Sequence, residues 1–374
     1  MNILVYGAGV LGSVYAARLH DAGHTVSILA RGQRLADLRA HGIVLDDART
    51  GMRTTTRVPV VERLAPDDAY DLVLVLMRWS QVAAVLPALA ANRRTPTVLF
   101  MVSTPVGPTA WIAALGRERV VLGFAGAGGS RDGHVVRYHV LPRWQQATTV
   151  GEPDGRVTSR LTAIVRAFVD AGFPVATSPR MEAWLTTHIT WTLPVSTALY
   201  MAGGDIDRLA GTRDALALLV RAVRENFRVL RALGIPITPA SLHVFDRLPE
   251  PLLIAFLRRL FATPPADLVI ARHANAARDE YQALADDWRA RAVRASVLTP
   301  AGDRLDHYLD PTAPPVADGS ATIPLTWRSM EIGLGALIGV GGALVGLRRQ
   351  RQARRGRTDG PPQSARLELE GETP

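Results

Sequence analysis

A chain of 374 residues, 48% of them hydrophobic, has room for two domains and a tail and enough apolar side chains to fill both cores. It contains no cysteine, which excludes disulfides, thiolate nucleophiles and cysteine-held metals, and no lysine, so all 43 Lys+Arg residues are arginines. The net charge of +9 is uneven, with six arginines and no acid in 348–357 and one arginine against four acids in 358–374; the mildly basic remainder suits anionic small ligands, and no nucleic-acid motif is present.

Residues 1–150 alternate strand-like and helix-like runs. Asn2–Tyr6 is a short apolar run that breaks at Gly7, and Leu11–Asp21 has the apolar spacing of a helix that stops at Gly23. Thr25–Ala30 reads as a second strand, followed by a basic turn at Arg31–Arg34. The unbroken apolar runs Asp71–Met77 and Thr97–Val102 flank a helix over 80–92. Such strands imply a parallel sheet covered on both faces. The expected fold class is therefore α/β, with a Rossmann-type domain over 1–155 followed by an all-helical domain over 156–310. Helical periodicity recurs in 158–172, 180–201, 207–233 and 265–296. Residues 311–331 are expected to be a linker, since 311–325 is rich in Pro, Ala and Gly.

Gly7-Ala8-Gly9-Val10-Leu11-Gly12 lies between a strand and a helix, the context that a dinucleotide-binding turn requires. Gly7 permits the tight turn, Gly9 lets backbone approach a pyrophosphate, and Gly12 allows close helix packing. The N–H groups of Val10, Leu11 and their neighbours open the helix and face a phosphate. An NAD site would end the second strand with Asp or Glu. Here the chain reads Ala30-Arg31-Gly32-Gln33-Arg34, and a guanidinium at Arg31 or Arg34 suits the 2′-phosphate of NADP(H). The alternative for these arginines is an ordinary solvated turn.

Three stretches give the chain a resemblance to the ketopantoate reductase (2-dehydropantoate 2-reductase) family: GAGVLGSVYAARLHDAGHTVSILAR, DLVLVLMRWSQV and VLGFAGAGGSRDGHV. Arg180-Met181-Glu182-Ala183-Trp184, Leu230–Ile235 and Asp279-Glu280-Tyr281 extend the likeness to roughly residue 310. The resemblance implies a Rossmann domain, a helical domain and reduction of a 2-oxo acid by NADPH in the cleft between them. It implies that Arg78 and Ser103 contact the cofactor, Arg78 standing where the family has a phosphate-side lysine. It also implies a catalytic lysine at the position of Thr186, where this lysine-free chain has none. Two family asparagines fall on Thr190 and Pro194, and a substrate-binding serine falls on Leu268. Only the late carboxylate, Glu280, is kept.

The candidate catalytic residues are therefore Glu280, His188 and Thr186. Hydride addition to a carbonyl leaves an alkoxide that needs a proton. His188 lies two residues past Thr186, about 200° round a helix. His273 and Glu280, seven apart, share a face if their helix is continuous. Thr186 and Thr190 can hydrogen-bond a small substrate. No metal-ligand set is expected.

Ile332–Leu347 carries no charge over 16 residues and has two Gly-x-x-x-Gly spacings. Its length of about 24 Å as a helix is short of the ~30 Å hydrocarbon core. The arginines that follow suit contact of 332–357 with the inner membrane face, and packing of the glycine-rich helix on a second copy is the homodimer alternative. Residues 348–374 read as a basic then acidic disordered tail. Met1 enters the first strand directly and leaves no room for a signal peptide, so a cytoplasmic location is expected. Two functions stand side by side: an NADPH-dependent oxidoreductase acting on a 2-oxo acid or related carbonyl other than ketopantoate, and a catalytically inactive NADP(H)-binding sensor or scaffold, which membrane contact through 332–357 would tether.

Overall fold

The computed structural model describes residues 1–104 and 107–327. In chain order its strands are β1 (Asn2–Tyr6), β2 (Thr25–Leu29), β3 (Ile43–Asp47), β4 (Arg53–Thr56), β5 (Val60–Val61), β6 (Leu72–Val75), β7 (Val98–Met101), β8 (Val120–Phe124), β9 (Ala127–Asp132), β10 (Val135–Val140), β11 (Thr148–Gly151) and β12 (Val175–Thr177). Eight of them form one sheet in the order β12-β11-β8-β7-β6-β1-β2-β5. From β5 to β8 all pairings are parallel, and β11 enters antiparallel to β8. The run β5-β2-β1-β6-β7-β8 is the doubly wound Rossmann order, whose direction reverses between β1 and β6.

The two faces of this sheet follow from strand alternation. Ile3 and Val5 pack with Val14 and Tyr15 of the helix Val10–Asp21. Leu4 and Tyr6 point the other way, towards Val82 and Leu89 of the helix Trp79–Ala91 and towards Trp111. Central strand residues Ile3, Leu4, Val5 and Leu72–Val75 are fully buried, which is why these runs carry no polar side chain.

A second sheet, ordered β4-β3-β10-β9, was not legible in the sequence. Its β9 contains Gly128 and Gly129, and both are required by close approach. A Cβ at Gly129 would stand 3.0 Å from Val10 Cγ1, and one at Gly128 would stand 2.8 Å from Val269 Cγ1. This strand is thus pressed between the glycine-turn helix and the helical domain.

The sheet domain extends past the expected boundary at 155. The helix Ser159–Asp170 lays Leu161, Ile164 and Phe168 on the sheet core, and β12 pairs with β11. The helical domain begins with the helix Met181–Met201, packed against the helix Arg213–Ala232. Buried Leu216, Leu219, Val220, Val223, Phe227 and Leu230 recur at helical spacing along the second of these. Pro194 lies inside the first and cannot donate to the carbonyl of Thr190. Asn226 Nδ2 donates to that carbonyl instead at 3.2 Å, while its Oδ1 accepts from Trp288 Nε1 at 2.6 Å.

The periodic stretch 265–296 is not one helix. A π-helical turn at Asp267–Ala271 and the short helix Arg272–Ala276 precede a break at Ala277 (φ −126°, ψ 27°), after which Arg278–Arg294 runs on. Residues 311–327 are not a free linker either. Asp214 accepts from Ser320 Oγ at 2.6 Å, from Thr322 N at 2.9 Å and Oγ1 at 2.8 Å, and from Ile323 N at 2.9 Å. These bonds hold its carboxyl near pKa 2 against the opposing effect of burial. Ile323 joins the helical core. The apolar run 332–347 and the tail 348–374 lie outside the described residues; among the described residues no helix is long and apolar enough to cross a membrane.

Candidate functional site

The carboxyl ends of β1, β6, β7 and β8 form one edge of the sheet, and ligands of open α/β sheets bind at such an edge, at the reversal point. The glycine turn stands there after β1. Gly7 has φ 121°, and a Cβ on it would lie 2.2 Å from Leu76 O, at the end of β6. A Cβ on Gly12 would meet Gly7 O at 1.8 Å, so the helix can begin here only against a glycine. Gly9 is different. It is exposed, and nothing stands within 4 Å of where its Cβ would be. That open approach is the cradle a pyrophosphate needs. Gly9 caps the helix Val10–Asp21 with no side-chain hydrogen bond, and Val10 and Leu11, both partly exposed, begin a turn whose N–H groups have no intrahelical acceptor.

The stretch read as a basic turn is the start of a helix, Gly32–His41, with Arg31 as its N-cap residue. This separates the two arginines. Arg31 is exposed at the carboxyl end of β2, with Nε 3.5 Å from Glu62 O and Nη2 3.5 Å from Tyr6 Oη. Arg34 points inward and is buried. Its Nε donates to Ala8 O at 3.0 Å, Nη2 to Ser13 Oγ at 2.9 Å and Nη1 to His134 O at 3.3 Å. The expectation that Arg34 meets a cofactor phosphate is therefore corrected: it braces the glycine turn from behind. Neither residue type nor sequence position distinguishes the two; only the helical register does.

Arg78 follows β6 and reaches into the helical domain. Its Nη1 donates to Asp279 Oδ1 at 3.1 Å and Oδ2 at 3.2 Å, Nη2 donates to Ala276 O at 2.6 Å, and Nε lies 3.9 Å from Glu280 Oε2. Glu280 stands in the first turn of the helix Arg278–Arg294 with its side chain 10% exposed. Burial raises its pKa, with Arg78 and a hydrogen bond from the Trp79 backbone N–H opposing that effect and Asp279 adding to it. His273 is not its partner on a continuous face, because the break at Ala277 intervenes; its ring packs edge-on to Tyr281 at 6.3 Å. Burial, and then the nearby Arg78 charge, lower the pKa of His273.

On the helix Met181–Met201, Thr186 is buried and its hydroxyl donates to Glu182 O at 3.0 Å. Thr190 donates to Thr187 O at 2.6 Å. Both hydroxyl protons are spent on their own helix, so a role for Thr186 as proton donor is not supported by its geometry. His188 stacks on Trp184 at 5.2 Å and 8°, and meets Phe124, at the end of β8, at 4.1 Å. Burial pulls its pKa down to about 4, so the ring is neutral at pH 7 and is no proton donor in the imidazolium sense. Ser103 sits partly buried just beyond β7 on the same edge, next to Thr104, whose hydroxyl donates to Gly107 O at 3.4 Å. Phe124 and Asp279 were not singled out from the sequence, although both lie in quoted stretches; topology alone brings them to the edge. Among the described residues no group of three or more His, Asp or Glu is placed to hold a metal ion.

A doubly wound sheet with a glycine turn at its reversal point, joined to a helical domain across the same edge, defines a Rossmann-type dinucleotide-fold protein. Residues 3–155 match the family described as Ketopantoate reductase PanE/ApbA, which marks this part of the chain as a domain of that family. A 2-dehydropantoate 2-reductase of Mesorhizobium japonicum is 27% identical over 211 residues; the match spans 50% of this chain and 63% of that protein. In fold the chain is similar to the 2-dehydropantoate 2-reductase of Geobacter metallireducens (TM-score 0.67, 18% identity, 84% of this chain and 100% of that one). It is also similar to D-mandelate dehydrogenase solved with NADH and anilino(oxo)acetate (TM-score 0.65, 17% identity, 83% and 97%).

Proposed function

We propose that the protein binds NADP(H) across the crevice between β1 and β6 and acts as an oxidoreductase on a 2-oxo acid or related small carbonyl compound. The observation that carries the cofactor choice is the end of β2. There Arg31 is exposed beside Tyr6, and Ala30–Gln33 offers no carboxylate for a ribose 2′-hydroxyl. The nearest acid after β5, Glu62, is already paired with Arg39 at 2.7 Å. A guanidinium in this position can grip a 2′-phosphate bidentately. Replacing Arg31 by Ala should weaken NADPH binding about tenfold or more and NADH binding by less than about twofold. Equal losses for both cofactors in a fluorescence titration would refute the phosphate role.

The bound cofactor supplies hydride to the carbonyl carbon. The chain must supply the proton, and Glu280 is the group suited to it. Its carboxyl is desolvated at the cleft, holds its proton more tightly than an ordinary glutamate, and has Arg78 near enough to steady the carboxylate left behind. Thr186 and His188 are less suited for the reasons given above. Ketopantoate itself is a poor candidate substrate, since Thr186 and Thr190 have committed their hydroxyls, Pro194 has no donor and Leu268 is buried and apolar.

The committed hydroxyl of Thr186 also favours a second reading, a catalytically inactive NADP(H)-binding protein. Saturable NADPH binding without NADPH consumption on any 2-oxo acid is its signature.

A further inference from the structure

We propose that Arg34 is a positioning residue of the dinucleotide site: from behind the glycine turn it aims the Gly9 and Val10 N–H groups at the pyrophosphate and lends that group a buried positive charge without touching it. The inference rests on the cofactor reading above and adds to it a residue that serves NADPH and NADH alike.

The aiming follows from peptide geometry. In a planar trans peptide the carbonyl and the N–H point in opposite directions. Arg34 Nε holds the Ala8 carbonyl at 3.0 Å, so the Gly9 N–H of the same peptide is turned away from the guanidinium. Ser13 holds the Gly9 carbonyl from within the helix, through its N–H at 3.0 Å and its hydroxyl at 2.8 Å. The Val10 N–H is thereby turned out of the helix. Arg34 Nη2 donates to that same Ser13 hydroxyl at 2.9 Å, and a cation at one end of a hydrogen-bonded chain polarises the donors at the other. Gly9, where these donors emerge, is exposed, with nothing within 4 Å of where a Cβ would stand.

The charge is the second part. Arg34 is 9% exposed, and its three acceptors, Ala8 O, His134 O and Ser13 Oγ, are all neutral. Among the described residues no carboxylate forms an ion pair with it. Asp37, one turn along its helix, lies 3.8 Å from Arg131 instead and accepts from Gln33 Nε2 at 2.8 Å. Burial and then Arg131 lower the pKa of Arg34, with Asp37 opposing them, yet a guanidinium stays protonated at any working pH. A buried cation held only by neutral groups is costly, and an anion nearby relieves that cost. The Ala8–Gly9 peptide is all that separates this cation from the open side of Gly9, well inside the ~8–10 Å over which charges are felt in salt solution. The two arginines of the turn thus divide the ligand: exposed Arg31 faces the 2′-phosphate, and buried Arg34 serves the pyrophosphate common to both cofactors.

The experiment is fluorescence titration of the full chain with NADPH and with NADH at several salt concentrations, with thermal melts of each variant. Arg34→Gln should weaken both cofactors about tenfold or more, by factors that agree within about twofold, and its affinity should depend less on salt than that of the wild type. Arg34→Lys keeps the charge and loses the fork, so it should recover part of the lost affinity, which a purely structural role does not predict. Should Arg34→Gln fail to fold, Ser13→Ala decides: it keeps the charge, cuts the link to the Gly9 carbonyl, and should weaken both cofactors about twofold to fivefold with Tm near wild type. Three results would overturn the proposal: binding of both cofactors by Arg34→Gln, or by Ser13→Ala where that variant decides, as tight as by the wild type; a loss confined to NADPH; or Arg34→Lys no better than Arg34→Gln. No saturable binding of either dinucleotide by the wild type would instead sink the cofactor reading beneath it.

Discussion

Gly9 and Gly12 stand three residues apart and face opposite requirements. A methyl on Gly12 would be driven into the Gly7 carbonyl at 1.8 Å, whereas one on Gly9 meets no protein atom within 4 Å. Gly12→Ala should therefore damage the turn itself, lowering Tm by about 5 °C or more. Gly9→Ala should leave Tm close to wild type and still weaken NADPH binding, because the methyl occupies the space a pyrophosphate needs. Thermal melts and NADPH titrations of both variants check this, and a large Tm loss in Gly9→Ala would contradict it. These glycines were legible because their chemistry is local: strand, turn and helix adjoin in the sequence. Arg34 was not. Whether it faces the crevice or the back of the turn depends on the helix Gly32–His41 starting two residues earlier, a register the basic composition hides.

At the scale of elements, Pro194 shows how a local defect is repaired from a distance. The proline was visible in the sequence; the side chain that replaces its missing N–H, Asn226, is on another helix. Asn226→Ala would leave both the Thr190 carbonyl and the Trp288 indole N–H buried without their partner, at a cost of about 2–4 kcal/mol. Chemical denaturation measures it, and a loss below about 0.5 kcal/mol would show that these bonds matter little. Apolar periodicity located four strands, β1, β2, β6 and β7, and the helices Val10–Asp21, Trp79–Ala91, Ser159–Asp170 and Met181–Met201 to within about two residues, but it ran Ile206–Gly211 and Arg213–Ala232 together. It failed over 265–296, where the pattern continues through the break at Ala277, and that break decides which carboxylates begin a helix facing Arg78. It also failed for β9, whose glycines resemble a loop and are explained by Val269 against Gly128 and by the Arg137 carbonyl of β10 and Val10 against Gly129.

At the scale of the whole molecule, the helical domain meets the sheet domain at the carboxyl edge, where Arg78 pairs with Asp279 and His188 packs on Phe124, and at β9, where Val269 lies against Gly128. Composition made 311–325 look like a linker, but the buried Asp214 carboxylate ties it to the helical domain, a long-range contact that no local pattern announces. The expected two-domain order held, with the sheet domain reaching Thr177. The measurement that tests the account most directly is NADPH binding by the full chain, followed in the same sample by NADPH consumption on a panel of 2-oxo acids across pH. The account predicts tighter binding of NADPH than of NADH and consumption with at least one acid of the panel. The rate should be highest where Glu280 is protonated and fall as pH rises through its raised pKa, and Glu280→Gln should abolish it. Failure to bind NADPH, or binding with no consumption on any member of the panel, would contradict it.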